Sequence, residues 1–572
     1  MAASPFLATT ALARFWASDR PLVLLGRWCE VGAEPSSDAQ LAPDPWAGAG
    51  RAAAGFQEAE AAYESLLPRL AERLNALHGL DRSVRYWRIL IGPWLLRWLH
   101  LLLDRRARLE AAFAAHPGLS TVLLDGADHV VPRDTLHLLR LSLSDAYNLQ
   151  LVTQLLEGER PDLERRRLER GQEAAGPAPV RTSGPLDWAF RKAAPPILIS
   201  ELLPDRKDQY ALLRALGGRG LLFVGSLPEP PAVDPARRLG LALAGATALE
   251  DAAGALLPVS LPRLYVEGFE AARQATRRGW RRAPRVIASS TGWVFNEALK
   301  FLGAEFSEEG TRLVGCQHGG GYGFYRHLPT QGLETASADV YATYGWGEPG
   351  GRLRPMPLPR MQRLAAAGAR RAPEGARRLY FVGNNFPRYP YQFSNLPFGG
   401  ELQTYLDDQV SFLRALPPAV AAAVTVRSYP MDWGLKTAER LRGAFPGMDH
   451  EPKGRPIESG FNGARLVVMD CLTTSFVEAL AFDVPTLVFC PPRMVEAGSQ
   501  ASEDLAVLKE AGIYLESPEA AARRACELLA DPMLWWASPV VRRARARWAA
   551  RHCGLEGAWP GAWADLLRGL AA

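Results

Sequence analysis

The stretch VVMDCLTTSFVEALAFDVPTLVF, residues 467–489, joins two apolar runs through one helical pattern. The first run ends at Asp470, and the small hydroxyl residues Thr473, Thr474 and Ser475 follow it. Short apolar runs on either side of a helical segment are typical of parallel strands buried in an α/β fold. The stretch therefore predicts a strand–helix–strand unit of a parallel sheet.

The same alternation of apolar runs and helical patterns continues through both halves of the chain. The predicted strands cover residues 21–29, 120–125, 220–226, 285–291 and 312–318, and then 378–385, 423–430, 465–470, 485–492 and 512–515. Between the two series, residues 348–376 carry Pro, Gly and Arg without apolar periodicity, which predicts a linker. We therefore predict an α/β protein with two Rossmann-like domains in tandem, 1–347 and 377–535, an interdomain cleft, and C-terminal helices in 536–572.

Composition limits the class of protein. A chain of 572 residues is too long for one core, and 48% hydrophobic with 22% charged residues is ordinary for a globular protein. The net charge of +5 is small for this length and does not indicate a nucleic-acid partner. Six scattered cysteines without a C-x-x-C pair favour reduced thiols. Since no signal peptide is recognisable either, we expect a cytoplasmic protein.

The most apolar stretch is WRILIGPWLLRWLHLLL, residues 87–103. Pro93, Arg97 and His100 interrupt it, and it is shorter than the roughly 20 residues that a spanning helix needs. We expect a buried helix here. The alternative is a helix that rests on a membrane surface with Trp and Arg at the interface.

The start of the helix within residues 467–489 predicts an anion site. Free N–H groups and hydroxyls at a helix N-terminus attract phosphate, so Thr473, Thr474 and Ser475 are candidate ligands. The alternative is a capping box, because Ser475 and Glu478 have the S-x-x-E spacing that closes a helix start without a ligand. Both interpretations are compatible, since a cap leaves other N–H groups free. In a further alternative Glu478 faces the cleft and accepts hydrogen bonds from ribose hydroxyls.

Two other predicted strands also end in polar residues. Asn384, Asn385 and Arg388 follow one strand, and Arg427 lies near the end of another. Arg offers a fixed cation and a fork of donors for phosphate, although a single Arg in this Arg-rich chain is more often a solvated surface residue. Because ligands bind at the carboxyl ends of parallel strands, we expect these side chains to converge on the anion site.

The second informative stretch is CQHGGGYG, in which His318 ends a predicted strand and Gly319, Gly320 and Gly321 follow. Glycines let a backbone approach a ligand closely, and an imidazole at such a position can accept a proton. HGGG also resembles the oxyanion-hole motif of lipases and esterases, but the chain lacks the G-x-S-x-G nucleophile elbow that this interpretation requires. The P-loop pattern is missing as well, and no spacing around His318 matches a common metal site.

Together these stretches predict group transfer from an activated, phosphate-linked donor. His318 would remove the proton from an acceptor hydroxyl, and helix N–H groups with Arg, rather than a metal, would hold the charge of the leaving nucleotide. Glu334 and Asp339 are expected to orient His318 or to act as the base themselves. The alternative for His318 is a hydrogen bond within a structural loop, which the run of nearby glycines disfavours.

The chain resembles a family of transferases encoded among O-antigen and other surface-carbohydrate genes. The matching segments are FLATTALARFW, LLGRWC, YWRILIGPWL, SSTGWVFNEALKFLGA, CQHGGGYG and the segment that ends in YATYGWG. The resemblance implies a GT-B glycosyltransferase-like fold, with residues 1–347 on the acceptor side, residues 377–535 binding the donor nucleotide, and the C-terminal helices crossing back. A looser similarity to glycerol-phosphate polymerases of wall teichoic acid covers His318, Gly319 and the tandem layout.

The leading hypothesis is a metal-independent glycosyltransferase, without a cofactor, that moves a sugar from a nucleotide-sugar donor to a surface polysaccharide or glycolipid. Two alternatives stay open: transfer of an alditol phosphate from a CDP-linked donor, and a non-catalytic nucleotide-sugar-binding or scaffold protein. The expected partners are the donor and a glycan or lipid-linked acceptor, and not nucleic acid. The basic stretch VVRRARARWAARH, residues 540–552, is also compatible with peripheral contact at the inner face of a membrane.

Overall fold

A computed structural model describes residues 4–17, 19–48, 50–169, 171, 195–371, 378–394, 398 and 401–572. The strands are β1 (Phe6–Ala8), β2 (Leu22–Leu24), β3 (Gln40–Leu41), β4 (Leu123–Leu124), β5 (Arg165–Arg166), β6 (Ile197–Ser200), β7 (Gly220–Leu222), β8 (Val286–Ser289), β9 (Arg312–Cys316), β10 (Val340–Thr343), β11 (Leu353–Pro355), β12 (Arg378–Val382), β13 (Val424–Arg427), β14 (Asp449–His450), β15 (Ala464–Met469), β16 (Thr486–Phe489) and β17 (Tyr514–Leu515).

The α-helices lie between and after these strands. They are Arg51–His78, Val84–Ala115, Thr135–Leu141, Asp145–Leu156, Arg206–Ala215, Pro235–Arg238, Ala248–Ser260, Arg263–Val266, Phe269–Arg277, Gly292–Phe295, Glu297–Ser307, Pro329–Ser337, Pro359–Gly368, Glu401–Arg414, Pro418–Ala421, Thr437–Ala444, Ile457–Gly463, Thr474–Phe482, Ser499–Glu510, Pro518–Leu528, Pro532–Trp536, Pro539–His552 and Gly561–Leu570.

Two six-stranded sheets organise the chain. The first has the strand order β11-β10-β9-β8-β6-β7, and the second has the order β14-β13-β12-β15-β16-β17. All of their strand pairs are parallel. A three-stranded parallel sheet, β1-β2-β3, adds to the N-terminal part. The prediction of an α/β protein with two Rossmann-like domains in tandem is confirmed.

The strand β15 shows why the apolar runs form parallel strands. Successive side chains of a strand point to opposite faces, and both faces of a parallel sheet are covered by helices. Val467 packs into the core on one face, with Phe476 and Phe482, whereas Val468 packs into the core on the other, with Phe412 and Ala522. A continuous apolar run satisfies both cores, which is what residues 464–469 provide.

The segment predicted as a linker has regular structure. Within residues 348–376, β11 pairs with β10 at the edge of the first sheet, and the helix Pro359–Gly368 packs on the helix Thr474–Phe482. Buried Met361 and Leu364 form the apolar face of this short helix. The spacing of three residues between Met361 and Leu364 was not recognisable among the surrounding Pro, Gly and Arg residues. Residues 372–376 of the predicted linker lie outside the described part of the chain.

The last helix, Gly561–Leu570, packs on the first sheet. Trp563 and Leu567 share one core with Ile197 and Val286, and the indole Nε1 of Trp563 donates to the carbonyl of Pro357 at 2.8 Å. The chain therefore returns from the second sheet to the first. The domain limits stay a prediction.

The helix Pro539–His552 binds mainly to its own domain. Its Val541 and Trp548 are buried in the core of the second sheet, and the guanidinium of Arg547 binds Asp504 at 2.7 Å. Arg545 pairs with Asp483. Much of the basic charge that indicated membrane contact is thus neutralised by carboxylates of the protein.

The apolar stretch 87–103 lies within the helix Val84–Ala115, which is buried as expected. Trp94 and Trp98 are fully buried in a core shared with the helix Arg51–His78, and their rings stack at 5.1 Å. Among the described helices, none is long and apolar enough to cross a membrane.

Candidate active site

His318 lies just beyond the carboxyl end of β9, where it forms a hydrogen-bonded pair with Glu334. The imidazole Nε2 is 2.9 Å from Glu334 Oε1, and about a quarter of the histidine side chain is exposed. Glu334 comes from the helix Pro329–Ser337 and is buried. A partly exposed imidazole backed by a buried carboxylate is a geometry that can accept a proton from a bound hydroxyl.

Two tyrosines complete the environment of Glu334. The hydroxyl of Tyr341 donates to Glu334 Oε2 at 2.7 Å, and that of Tyr322 lies 3.2 Å from Oε1 and 2.8 Å from His318 Nε2. Burial, followed by the charge of Glu334, raises the pKa of both phenols well above the usual range. The tyrosines therefore stay protonated and hold Glu334 as an acceptor.

This arrangement favours one tautomer of His318. Glu334 Oε1 accepts a hydrogen bond, so the proton of neutral His318 is best placed on Nε2. Nδ1 then carries the lone pair, and within the described residues it has no hydrogen-bond partner. Nδ1 is consequently the atom of His318 that can act as a base.

The glycines after His318 allow close contact with the second domain. A Cβ on Gly320 would lie 2.8 Å from the backbone of Thr473 and Thr474, and the amide of Gly320 donates to Thr474 Oγ1 at 3.0 Å. A Cβ on Gly321 would meet the ring of Tyr325 at 2.6 Å, whereas Gly319 has only ordinary contacts. Because Gly320 has no side chain, the loop after β9 can pack directly against the start of the helix Thr474–Phe482.

The helix Thr474–Phe482 begins without a side-chain cap. Thr473 occupies the N-cap position, but its side chain makes no capping hydrogen bond. Glu478 binds Arg360 at 2.5 Å instead of reaching back to the helix start. The capping-box interpretation of Ser475 and Glu478 is therefore wrong, because the helix starts two residues earlier and Arg360, from the helix Pro359–Gly368, binds the carboxylate.

A cavity of about 400 Å³ opens at the carboxyl edge of the second sheet. Five of the residues predicted to bind a donor line it: Asn384, Arg427, Thr473, Ser475 and Glu478. Asn385 and Thr474 line a neighbouring cavity of about 460 Å³, which shares Asn384, Thr473 and Ser475 with the first. The structure therefore brings these seven residues together, as the convergence of strand ends predicted.

Asp470 organises the floor of the first cavity. Its carboxylate accepts hydrogen bonds from the amide of Asn384 at 3.1 Å, from Tyr405 and from Gln409, both at 2.6 Å. Burial raises the pKa of Asp470, and these hydrogen bonds oppose that shift. The position of the loop after β12 is thereby fixed relative to β15.

Arg427 is held at the side of the same cavity. Its guanidinium binds Glu451 and the carbonyl of Arg455, the latter at 3.0 Å. Burial lowers the pKa of Arg427, but Tyr380 and Glu451 outweigh it and the net shift is upward. Arg427 is therefore a fixed cation that keeps donors available to a ligand in the cavity.

Two predicted site residues lie elsewhere. Asp339 precedes β10 at the amino edge of the sheet, where its Oδ2 accepts from the amide of Leu313 at 2.7 Å and from Arg85 at 2.8 Å. The guanidinium of Arg388 binds both oxygens of Asp145 at 3.0 Å. Asp339 therefore does not contact His318. Arg388 binds a carboxylate of the first domain and does not line the two cavities with the other predicted donor-binding residues as a free cation.

The sequence did not identify Tyr322, Tyr341 or Arg360 as members of this site. Tyr322 stands four residues after His318 in the glycine loop, a spacing that could have indicated it. Tyr341 and Arg360 carry no local signal, because their contacts with Glu334 and Glu478 form only when distant segments pack. In the part of the chain that the structure describes, no group of His, Cys, Asp or Glu could hold a metal ion.

Comparison with solved structures finds chains of weak overall similarity. One is a putative UDP-N-acetylglucosamine 2-epimerase from Listeria monocytogenes, with 11% identity, a TM-score of 0.37, and 65% of this chain and 94% of that chain covered. Another is an α,α-trehalose-phosphate synthase (UDP-forming) from Burkholderia vietnamiensis, with 12% identity, a TM-score of 0.33, and 66% and 97% covered. MurG from Acinetobacter baumannii has 10% identity, a TM-score of 0.32, and 65% and 99% covered.

The fold and the site are thus two Rossmann-like sheets with polar residues gathered at the carboxyl edges of their strands. Residues 5–567 match the model of the LIC12162 family transferase, so the chain belongs to that family. No curated protein matches it.

Proposed function

We propose that the protein is a glycosyltransferase that moves a sugar from a nucleotide-sugar donor to an acceptor hydroxyl. The observation that carries this proposal is the contact between the His318 loop and the uncapped helix start at Thr473 and Thr474. This contact supports the proposal, because the loop that carries the proposed base lies against the proposed phosphate site.

The donor nucleotide would occupy the 400 Å³ cavity of the second domain. The amides of Thr474 and Ser475 lie in the first turn of their helix, where no intrahelical acceptor exists, so they can bind a phosphate. The hydroxyls of Thr473 and Ser475 and the cation of Arg427 add to this site. Glu478, which Arg360 binds, would accept a hydrogen bond from a ribose hydroxyl.

In the transfer step His318 would act as the base. Nδ1 takes the proton of the acceptor hydroxyl as its oxygen forms a bond with the anomeric carbon of the sugar. The bond between that carbon and the phosphate oxygen breaks, and its electron pair stays on the leaving nucleotide. The helix N–H groups and Arg427 stabilise the negative charge that develops there. Glu334 balances the positive charge on His318.

The acceptor that we propose is a surface polysaccharide or a glycolipid of the O-antigen or capsule type. This part of the proposal rests on the resemblance to transferases of surface-carbohydrate genes. It places the protein in the cytoplasm, where nucleotide sugars are available.

Peripheral contact with a membrane belongs to the same proposal. Leu534 is 74% exposed and lies near exposed Met533 and Val540, and exposed Arg542 and Arg543 follow. Apolar side chains next to cations favour an anionic bilayer surface. Leu534→Ser should weaken cosedimentation with phosphatidylglycerol vesicles. The control is Leu239→Ser, at a position that is 80% exposed on the first domain, and it should leave cosedimentation unchanged. Equal loss in both variants would exclude this surface.

Thermal unfolding with nucleotides tests the donor site. CMP, CDP, UDP, GDP and dTDP are added singly, with and without EDTA, and a ligand at about 100 times its Kd should stabilise the protein by about 2.7 kcal/mol. One nucleotide that stands out in EDTA supports the proposal. No shift with any nucleotide would refute a donor-binding second domain and favour a scaffold.

A matched pair of variants places the nucleotide in the proposed cavity. Glu478→Gln should reduce the preference for a bound ribonucleotide over its 2′- or 3′-deoxy form about tenfold, because the charged acceptor is lost. Glu503→Gln, at an exposed position of another helix, should leave the preference unchanged. If both variants behave like the natural protein, the ribose does not contact Glu478.

A further inference from the structure

Arg97 is a buried cation that forms no ion pair with a carboxylate of the described residues. It belongs to the helix Val84–Ala115 and is only 6% exposed. Its Nε and Nη1 are buried and have no hydrogen-bond partner within the described residues, and its guanidinium lies 5.2 Å from the ring centre of Phe295. An unpaired buried cation is costly for the folded state, so a ligand is a natural partner for it.

The other buried arginines of the described chain are paired. Arg238 binds both oxygens of Glu267 at 2.6 and 2.7 Å, and Arg108 binds Asp104 at 2.9 Å. Arg105 binds Asp104 and also Asn148, at 2.7 Å. Arg97 therefore differs from these three arginines, which are all paired with carboxylates. A general tolerance of unpaired buried guanidinium groups in this protein does not account for the difference.

The surroundings of Arg97 place it beside the proposed site. Glu334, Tyr322 and Tyr391 lie close enough to interact with it electrostatically. Glu334 forms no ion pair with it among the described residues, and both oxygens of that carboxylate accept hydrogen bonds from His318, Tyr322 and Tyr341. The carboxylate is therefore bonded to the imidazole and to two phenols, and not to the guanidinium.

Two neighbours of Arg97 line cavities. Phe295 lines a cavity of about 650 Å³ at the carboxyl edge of the first sheet, together with Glu201 and Arg206. Tyr391 lines the 460 Å³ cavity next to the helix start at Thr473. The ring of Phe295, 5.2 Å from the guanidinium, therefore stands between Arg97 and the cavity of the first sheet.

We propose that Arg97 binds an anionic group, a carboxylate or a phosphate, carried by the acceptor substrate. The inference rests on the proposed function and narrows it to acidic acceptors. The donor phosphates already have a site at Thr474 and Ser475, so the anion at Arg97 belongs to the molecule that presents its hydroxyl to His318. A guanidinium suits this task because it offers planar pairs of donors and stays charged when buried.

The first experiment measures whether a simple anion binds at Arg97. The full-length protein, saturated with the nucleotide that stabilises it best, is unfolded thermally in chloride, acetate or inorganic phosphate at one ionic strength. Acetate or phosphate should raise the Tm of the natural protein by about 1–3 °C, and Arg97→Met should lose that rise. Arg85→Met, on the same helix but paired with Asp339, is the control that should keep it.

The Tm of the ligand-free variants separates binding from structure. Arg97→Met should be as stable as the natural protein or more stable, because an unpaired buried cation is removed. Arg105→Met should lower the Tm, since Asp104 and Asn148 each lose a buried hydrogen-bond partner. A fall in Arg97→Met as large as that in Arg105→Met would show a structural role and overturn the proposal. If Arg97→Met does not fold, that result also overturns it.

The second experiment identifies the source of the anion. Methyl β-D-glucuronide is compared with methyl β-D-glucoside, and octyl phosphate with octanol, for binding to the nucleotide-saturated protein. At least one anionic probe should bind about tenfold or more tightly than its neutral partner, and Arg97→Met should abolish the difference while Arg97→Lys keeps part of it. A carboxylate preference indicates an acidic glycan, and a phosphate preference indicates a phosphate-bearing lipid.

Failure of the inference is distinguishable from failure of the proposed function. A protein that binds a nucleotide, but that shows no anion preference or keeps it in Arg97→Met, overturns only the acidic acceptor. The acidic acceptor is also overturned if the protein binds inorganic phosphate or acetate but prefers neither organic anion to its neutral partner. A protein that binds no nucleotide at all refutes the transferase proposal, and the role of Arg97 falls with it.

Discussion

Gly320→Ala tests the contact between the two domains. The new Cβ would lie 2.8 Å from backbone atoms of Thr473 and Thr474, so the two segments must separate by about half an ångström. Overpacking of this kind costs about 1–3 kcal/mol. The separation also weakens the 3.0 Å hydrogen bond from the amide of Gly320 to Thr474 Oγ1, worth about 1 kcal/mol. We expect a total loss of about 2–4 kcal/mol, together with weaker nucleotide binding.

Thermal and denaturant unfolding, followed by near-UV circular dichroism, would measure this loss as a fall in Tm of a few degrees. Gly319→Ala is the matched control, because its Cβ would approach no atom closer than 3.6 Å and its backbone φ is not positive. Equal Tm values and equal nucleotide affinities for the two variants would refute the reasoning, since the Gly320 loop would then not lie against the helix start.

Three further predictions concern other parts of the molecule. Glu334→Gln should lower kcat for the transfer about 10²–10⁴-fold with little change in nucleotide affinity, because the imidazole of His318 loses its carboxylate partner during proton transfer. An unchanged kcat in steady-state kinetics would exclude this role. Burial raises the pKa of Glu60 to about 7, so between pH 4.5 and pH 7 the folded protein keeps a proton that the unfolded chain loses. The stability that this proton contributes is fully present below pH 4.5 and is lost as the pH rises through 7. The Tm of the natural protein should therefore fall more steeply between pH 5 and pH 8 than that of Glu60→Gln, and parallel curves would contradict this. Trp563→Ala should lower stability by about 3–5 kcal/mol, since the indole is fully buried against the first sheet; a loss below about 1 kcal/mol in denaturant unfolding would show that the last helix is not anchored there.

Local pattern determined the class of fold and the positions of most strands near the site. The predicted strands 312–318 and 465–470 correspond to β9 and β15, because apolar runs and helical periodicity are properties of short segments. The strand and helix within residues 353–368 were not predictable in this way, since a three-residue strand and a ten-residue helix carry too few apolar residues among Pro, Gly and Arg.

The sequence also predicted that His318 and residues 473–475 lie at the carboxyl ends of strands. In the structure these strand ends belong to the two parallel sheets, and the residues that follow them are in contact. It could not choose between Glu334 and Asp339 as the partner of His318. The pairing of β9 with β10 decided that choice, because it directs Asp339 to the amide of Leu313 at the opposite edge. The seven residues around the two second-domain cavities were predictable for the same topological reason.

Contacts between distant segments were decided only by the tertiary structure. Arg388 pairs with Asp145, 243 residues away, and Arg360 takes the carboxylate of Glu478, 118 residues away. No periodicity records such pairs, since their energy depends on which surfaces meet after folding. Packing also distinguishes Arg97, which in the sequence only interrupts an apolar run. The structure shows that its Nε and Nη1 are buried without a hydrogen-bond partner among the described residues.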